Sequence, residues 1–335
     1  MSPTRIRLLA VLLPAAVALA VTALSVRGWH TYGLAIFVGA PLFIGVTSSW
    51  MAARHAGVSL FASIGLAMLS QTAMAAGVIA VAIDGMICVL MAMPLAFGLV
   101  LVGSFIGHAI GVAGRPARTD RTGLMAITLM PLAMLLESGV ARTRAPTLHA
   151  VTTSVDIAAA PETVWRNVIT FDPITAPPQG LFRLGIAYPI GARIEGTGVG
   201  AVRYCRFSTG DFVEPITAWD APRRLAFDVT ANPPPMREVS IYPDLHVPHL
   251  DGTFTSERGQ FLLEPTATGT RLTGTTWYRQ RIWPDLYWHQ LSDALIHRIH
   301  QRVLDHIRVQ AEGGSGPTGQ DDAAHGAATT PGQNV

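Results

Sequence analysis

The chain has 335 residues, 50% of them hydrophobic and only 14% charged, with a formal net charge of +2. That balance is far from an ordinary soluble domain. With no basic stripe interleaved with aromatics, it also excludes a nucleic-acid partner. Lysine is absent, so every basic side chain other than histidine is arginine, a mark of GC-rich, bacterial coding. Cys88 lies in an apolar run and Cys205 in the polar half. Two such cysteines make neither a disulfide framework nor a zinc spacing, and each reads as a buried thiol.

Charge is unevenly spread. Few ionisable residues occur before Val112, and most acids follow Asp156. A membrane part therefore comes first and a soluble part second. Arg5 and Arg7 precede the first apolar run, 8–26. Its Ala18-Leu19-Ala20 triplet would suit signal cleavage, but further runs follow at once, which points to a retained helix. The next runs are 32–51, flanked by Trp29 and Trp50 at interfacial positions, then 58–83 and 86–112, joined by the tight turn Asp84-Gly85. A weaker fifth run, 122–140, contains Pro131 and Glu137. Each strong run has the roughly 20 apolar residues that a bilayer crossing needs.

Five spans put Arg5, Arg7, Arg54, Arg115, Arg118 and Arg121 on one side. Arg27, Arg142 and Arg144 fall on the other. The positive-inside rule then places the N-terminus in the cytoplasm of a bacterial inner membrane and the soluble half outside it. With four spans the soluble half faces the cytoplasm instead. Gln71, Asp84, His108 and Glu137 are the polar residues in or near the spans. Asp84 in its turn, and His108 and Glu137 near span ends, are expected to be solvated by interfacial water rather than to form a transport path. Gly98, Gly103, Gly107 and Gly111 suit close helix packing.

After a linker, 142–150, the soluble half runs from 151 to 310. A strand over 151–157 leads to a helix opened by Pro161 and Glu162, with Val164, Trp165 and Val168 on its apolar face. A Pro-rich stretch, 171–180, reads as a second short helix or loop. Strand-like runs follow at 192–196, 201–207, 212–219 and 224–229, separated by turn signals. Gly196-Thr197-Gly198-Val199-Gly200 joins two of them with no helix after it, so it reads as a hairpin turn and not as a dinucleotide loop. The segment 231–253 is an irregular insertion with three consecutive prolines. Two more strands, 259–264 and 270–281, are joined by a turn at Gly269. A helix from 284 to about 309 closes the domain, roughly 37 Å long at about 1.5 Å per residue. The stretch 311–335 is polar and rich in small residues, and reads as a disordered tail.

A strand, short helices, many antiparallel strands and a long terminal helix make an α+β layout. Two stretches carry a resemblance. Val155-Asp-Ile-x-Ala-x-Pro161-Glu162-x-Val-Trp165 and Ile216-Thr-x-Trp219-Asp-x-Pro222-x-Arg224-Leu-x-Phe227 are similar to the START-like, or SRPBCC, superfamily, as is the hairpin before the long helix. That superfamily includes polyketide cyclases, lipid-transfer START domains and the birch-pollen-allergen fold. The resemblance covers the soluble half alone, although the whole chain also resembles bacterial SRPBCC proteins with membrane spans. It implies a helix-grip (START-like) fold, here preceded by an all-α transmembrane bundle. It also implies a cavity for membrane lipids or another small hydrophobic, polyketide-like ligand, with no cofactor.

One fold hosts many activities, so the site has to be argued from residues. The aromatic and aliphatic candidates for contact with an apolar ligand are Trp165, Tyr204, Trp219, Phe227, Phe261, Tyr278, Leu291 and Leu295. Strand parity puts Arg203 and Cys205 on one face and Tyr204 and Arg206 on the other. Glu214, Arg203, Tyr204, Tyr278, Asp293 and His297 are the candidates for acid–base work, the chemistry of a cyclase or hydratase, with Glu214, Asp293 and His297 foremost. His289, Asp293, His297 and His300 share one stripe of the terminal helix, expected at its edge or outer face. His246 and His249, with Asp244 and Asp251, could ligate a metal, but no His-Glu-x-x-His pattern supports one. The insertion, 233–251, is expected to act as a lid. A ligand-free scaffold or sensory module is the remaining alternative, and no motif sets an oligomeric state.

Overall fold

The computed structural model describes residues 2–113, 129–140, 143, 145–242, 247, 250 and 252–313. Among the described residues, four helices are long and apolar enough to cross a membrane. They are α1 (Pro3–Trp29), α2 (Ala40–Ala56, entered through a π-helical turn at Ala35–Gly39), α3 (Leu60–Ala80) and α4 (Met86–Ala113). A shorter apolar helix, α5 (Leu129–Val140), covers the end of the fifth expected run. The rest of that run and the Arg115–Arg121 loop lie outside the described residues.

Small residues set the bundle's closest approach. A side chain at Gly103 would meet the Leu42 carbonyl oxygen at 2.7 Å, and one at Gly45 or Gly107 would overlap the Val100 or Val46 carbonyl oxygen. α2 and α4 therefore touch backbone to backbone. The outer faces carry large apolar side chains such as Phe61, Leu90 and Leu136, which is what lipid-facing surface requires. His108 and Glu137 find protein partners instead of the interfacial water expected for them. His108 Nδ1 meets Ser63 Oγ at 3.0 Å, and the Glu137 carboxylate accepts the Ala35 N–H at 2.9 Å.

The soluble half is one seven-stranded antiparallel sheet, ordered β1-β7-β6-β5-β4-β3-β2. Its strands are β1 (Thr147–Ile157), β2 (Pro189–Glu195), β3 (Val202–Phe207), β4 (Gly210–Asp220), β5 (Arg224–Asp228), β6 (Phe254–Thr266) and β7 (Gly269–Gln280). β1 starts within the expected linker and pairs with β7 from Thr147↔Gln280 onward. Its helices are α6 (Pro161–Ile169) and α7 (Asp285–Ala311). The Pro-rich stretch is a loop ending in a 3-10 turn at Gly180–Leu184. Gly196, Gly198 and Gly200 all have positive φ in the β2–β3 turn, which is why that position takes glycines.

α7 crosses the sheet's concave side from the β1–β7 end, and Arg302 Nε reaches the Pro189 carbonyl at the β2 end at 3.2 Å. Ile157, Val164, Val168, Ile216, Leu225, Leu263, Leu272, Leu304 and Ile307 form the core between sheet, α6 and α7. This is a helix-grip fold. The expected tail, 311–335, begins inside α7, which runs to Ala311, and its residues 314–335 lie outside the described residues.

Candidate functional site: a cavity shared by grip and bundle

The concave sheet and α7 do not close on each other at the β5–β7 end. One cavity of about 280 Å³ lies between them and continues down into the helical bundle. Its upper walls are sheet residues, among them Arg203, Cys205, Glu214, Phe227 and Phe261, and α7 residues from Trp288 to Leu304. Its lower walls are bundle residues from α1, α2, α3 and α4, including Val26, Phe37, Met74 and Met93. Gly274 of β7 is part of the upper wall, and the space its missing side chain leaves is approached by Phe261 and Leu304.

The soluble half docks on the bundle through backbone bonds and side-chain caps. The Trp283 N–H donates to the Tyr32 carbonyl at 2.9 Å, and the Met86 N–H to the Val239 carbonyl at 3.0 Å. Tyr287 O–H donates to Met91 O at 2.5 Å and Tyr242 O–H to Ala80 O at 2.5 Å. Glu238 accepts the N–H groups of Ile87 and Cys88 at 3.0 and 3.1 Å, so a residue of the insertion caps α4. Trp288 meets Phe37 edge to face with ring centroids 4.9 Å apart. Ile87, Ile186, Met236 and Leu295 complete an apolar junction drawn from both halves. Pro233, Pro234, Pro235 and Met236 line the cavity. The described part of the insertion is thus a wall fixed to the bundle.

Asp84, Cys88 and Glu238 converge at this junction, with ligand-capable atoms within 4.8 Å of one another. Burial pushes the Asp84 carboxyl up to about 8; its bond to the Gly85 N–H opposes the rise and the Glu238 charge adds to it. The docked state therefore holds a proton that a free Asp84 would release near its ordinary value of 3.8. This contribution is complete below that ordinary value and is lost as pH rises through about 8. We expect the melting temperature of the intact protein to fall between pH 6 and pH 9, and Asp84→Asn to flatten that slope, as differential scanning fluorimetry can follow.

The polar centre of the upper cavity is Arg203 paired with Glu214. Register places Arg203 opposite Glu214 on neighbouring strands. Arg203 and Glu214 both face inward, whereas Tyr204, expected among the ligand contacts, faces out, with the Arg193 guanidinium 4.0 Å from its ring centroid. Arg203 is 1% exposed and Glu214 6%. Phe171, Phe227 and Phe261 surround the guanidinium at 5.5–5.9 Å from their ring centroids. Burial pushes the Glu214 carboxyl above its usual range, and the Arg203 charge pulls against that shift. Burial pushes the Cys205 thiol up to about 12, so it stays protonated and unreactive. Arg203 Nε has no hydrogen-bond partner among the described residues.

The remaining sequence candidates divide. Phe227, Phe261, Leu295 and Glu214 line the cavity. Trp165 and Trp219 pack edge to face at 5.6 Å in the core behind it. Tyr278, Leu291, Asp293 and His297 are not in its lining. Tyr278 O–H instead donates to Asp293 at 2.6 Å, and burial with that carboxylate raises its pKa. The histidine stripe lies over the β1 edge of the sheet. His297 and His300 bond Thr153 Oγ1 at 2.8 and 3.1 Å, and His300 also bonds Thr276 Oγ1 at 2.8 Å. Burial and His297 push His300 down to about 4, so it is neutral at pH 7. His289 stacks on His149 at 5.1 Å. The histidines of the stripe are held by strand hydroxyls, by an aromatic ring and, at His289, by the Asp285 carbonyl at 2.9 Å. His246 and His249, with Asp244 and Asp251, lie outside the described residues. Arg203 was weighed from sequence as an acid–base group, and its pairing with Glu214 was not. A buried opposite-charge pair eleven residues apart across a hairpin was the available signal.

No family model matches the chain, and no curated protein matches it. Several solved structures of Bet v1/SRPBCC-type fold are similar over the sheet half. Norcoclaurine synthase from Thalictrum flavum is 14% identical, covers 50% of this chain and 97% of its own, and gives a TM-score of 0.32. The Zhui aromatase/cyclase from Streptomyces sp. R1128 is 15% identical over 50% of this chain and 94% of its own, with a TM-score of 0.33. A protein from Nitrosomonas europaea is 14% identical over 49% of this chain and 96% of its own, with a TM-score of 0.31. The helix-grip assignment rests on the strand order and on α7, not on these likenesses.

Proposed function

We propose that this is a membrane-embedded binding protein for a hydrophobic ligand, a lipid or polyketide-like molecule, that exchanges between the bilayer and the helix-grip cavity. The observation that carries this reading is the continuity of the cavity from Arg203 and Glu214 in the sheet to Met74 and Met93 in the bundle. Apolar ligand surface leaving water is worth roughly 25 cal/mol per Å², and a ligand passing through the bundle never has to meet water. Phe227, Phe261 and Leu295 serve as apolar contacts, and the Arg203–Glu214 pair receives a polar group.

The soluble half docks on the end of the bundle opposite the start of α1, where Trp29, Tyr32 and Ala80 lie. This supports an odd number of spans, with α5 as the fifth, and the soluble half on the side away from the N-terminus. With arginines at positions 5, 7 and 54 on the N-terminal side, that is the outer face of a bacterial inner membrane.

Glu214, with its carboxyl raised inside a cavity, also supports a second reading: acid–base turnover of the bound molecule. Mass spectrometry of lipids carried by the purified full-length protein tests both. Binding predicts one enriched lipid class in unaltered form, and catalysis predicts substrate and product together. A carried pool that mirrors the bulk membrane at every loading would sink the binding reading.

A further inference from the structure

The lower end of the cavity contains a buried side-chain oxygen with no hydrogen-bond partner among the described residues. Four lining positions of α3, Gln71, Met74, Ala75 and Val78, fall on one helical face. They descend roughly 10 Å from the junction at about 1.5 Å per residue, and Gln71 is the deepest of them. Gln71 is only 4% exposed. Its Oε1 has no hydrogen-bond partner among the described residues. Thr22 on α1 repeats the pattern: it lines the same cavity, is 3% exposed, and its Oγ1 has no partner among the described residues. α1 and α3 run side by side in the same direction, since Ser70 bonds the Val11 carbonyl and Gly77 meets Leu19. Thr22 therefore lies nearer the mouth and Gln71 at the floor.

A buried amide is satisfied in nearly all folded proteins, and in a bilayer no bulk water can do it. Between Gln71 and the junction, Thr22 apart, the walls are mainly apolar, among them Phe37, Met74, Ala75, Val78 and Met93. The charged residues of the lining, Asp84, Arg203, Glu214 and Arg258, all lie at or above the junction. An ionised headgroup at the floor would have no countercharge and would be expelled.

We infer that Gln71 Oε1 anchors a neutral hydrogen-bond donor, a hydroxyl, of a long-chain lipid that enters the bundle polar end first, with Thr22 as a second station nearer the mouth. This rests on the ligand-binding reading and adds to it the class of group and the depth at which it sits.

The test is photolabelling of the full-length protein in lipid nanodiscs with three matched C18 probes, each carrying a diazirine beside one end. One ends in a hydroxyl, one in a carboxylate and one in a methyl group. The hydroxyl probe should label α3 and α4 around Gln71 and Ala96, at least tenfold more than the carboxylate probe does. Gln71→Leu, close in volume, should remove that tenfold preference and leave labelling by the methyl-ended probe unchanged. The label map on the unmodified protein does not depend on how well the variant folds. Equal floor labelling by all three probes would overturn the inference, as expected if Gln71 holds only water. So would hydroxyl-probe labels confined to the sheet near Arg203, though that result would leave ligand binding intact. No cavity labelling by any probe would overturn ligand binding and this inference together.

Discussion

Arg203→Met is expected to destabilise the soluble half by about 3–5 kcal/mol, the cost of leaving one partner of a buried ion pair uncompensated. Arg203 and Glu214 are both buried, and their nearest neighbours are phenylalanine rings. With the guanidinium gone, nothing opposes the burial that already raises the Glu214 carboxyl. The sign follows. A carboxyl whose folded-state pKa is raised keeps the fold most stable below its ordinary value and costs stability as pH rises through the raised one. Arg203→Met should therefore be least damaging in mild acid and worst above neutrality. The double variant Arg203→Met, Glu214→Leu should recover most of the loss, because a packed apolar pair replaces an ion pair at little cost. Urea unfolding of the three proteins at pH 5 and pH 8 measures all of this. Equal stability of the single and double variants at pH 8 would show that the pair is not coupled. A stable double variant that carries no lipid would assign the pair to ligand recognition.

Gly107→Leu should prevent assembly of the bundle, at a cost of at least about 3 kcal/mol. Even a methyl at Gly107 would overlap the Val46 carbonyl oxygen and its Cα. Backbone cannot swing aside as the end of a long side chain can. Gly103 faces Leu42 and Gly111 faces Trp50 and Ala53, so separating α2 from α4 at one point opens the whole seam. Gly98 is the internal control. It lies in the same helix with nothing within 4 Å of an added methyl, and Ala is the better helix former, so Gly98→Ala should be neutral or slightly stabilising. Thermal aggregation of the detergent-purified proteins distinguishes the two. Gly107→Leu melting with the unmodified protein would remove the close-packed seam from the account.

Much of the soluble half was legible because it is local. Alternation along β3 separated Arg203 and Cys205 from Tyr204, but it did not say which face is inward, and Tyr204, expected to contact ligand, lies on the outer one. Periodicity gives a face, however, and not the neighbour it meets. The histidine stripe of α7 could be placed on the helix, but only the β1–β7 pairing brings Thr153 and Thr276 to it. Asp293 looked catalytic for the same reason, and Tyr278 across β7 occupies it. The insertion was expected as a lid because its prolines bar it from a strand. That Glu238 caps α4 is a contact between residues 151 apart, and no local pattern encodes it. Gln71 stood out in the sequence as polar within an apolar run, and its role depends wholly on the cavity that four helices create around it.

The cap that Glu238 places on α4 also imposes a direction on biogenesis. α4 leaves the ribosome long before its cap is synthesised, and α7, the last wall of the cavity, follows later still. Throughout that interval the lower cavity lacks its upper walls. The cavity is therefore assembled in the order of the chain, with its floor in the helical bundle first, its sheet walls next, and its closing helix last.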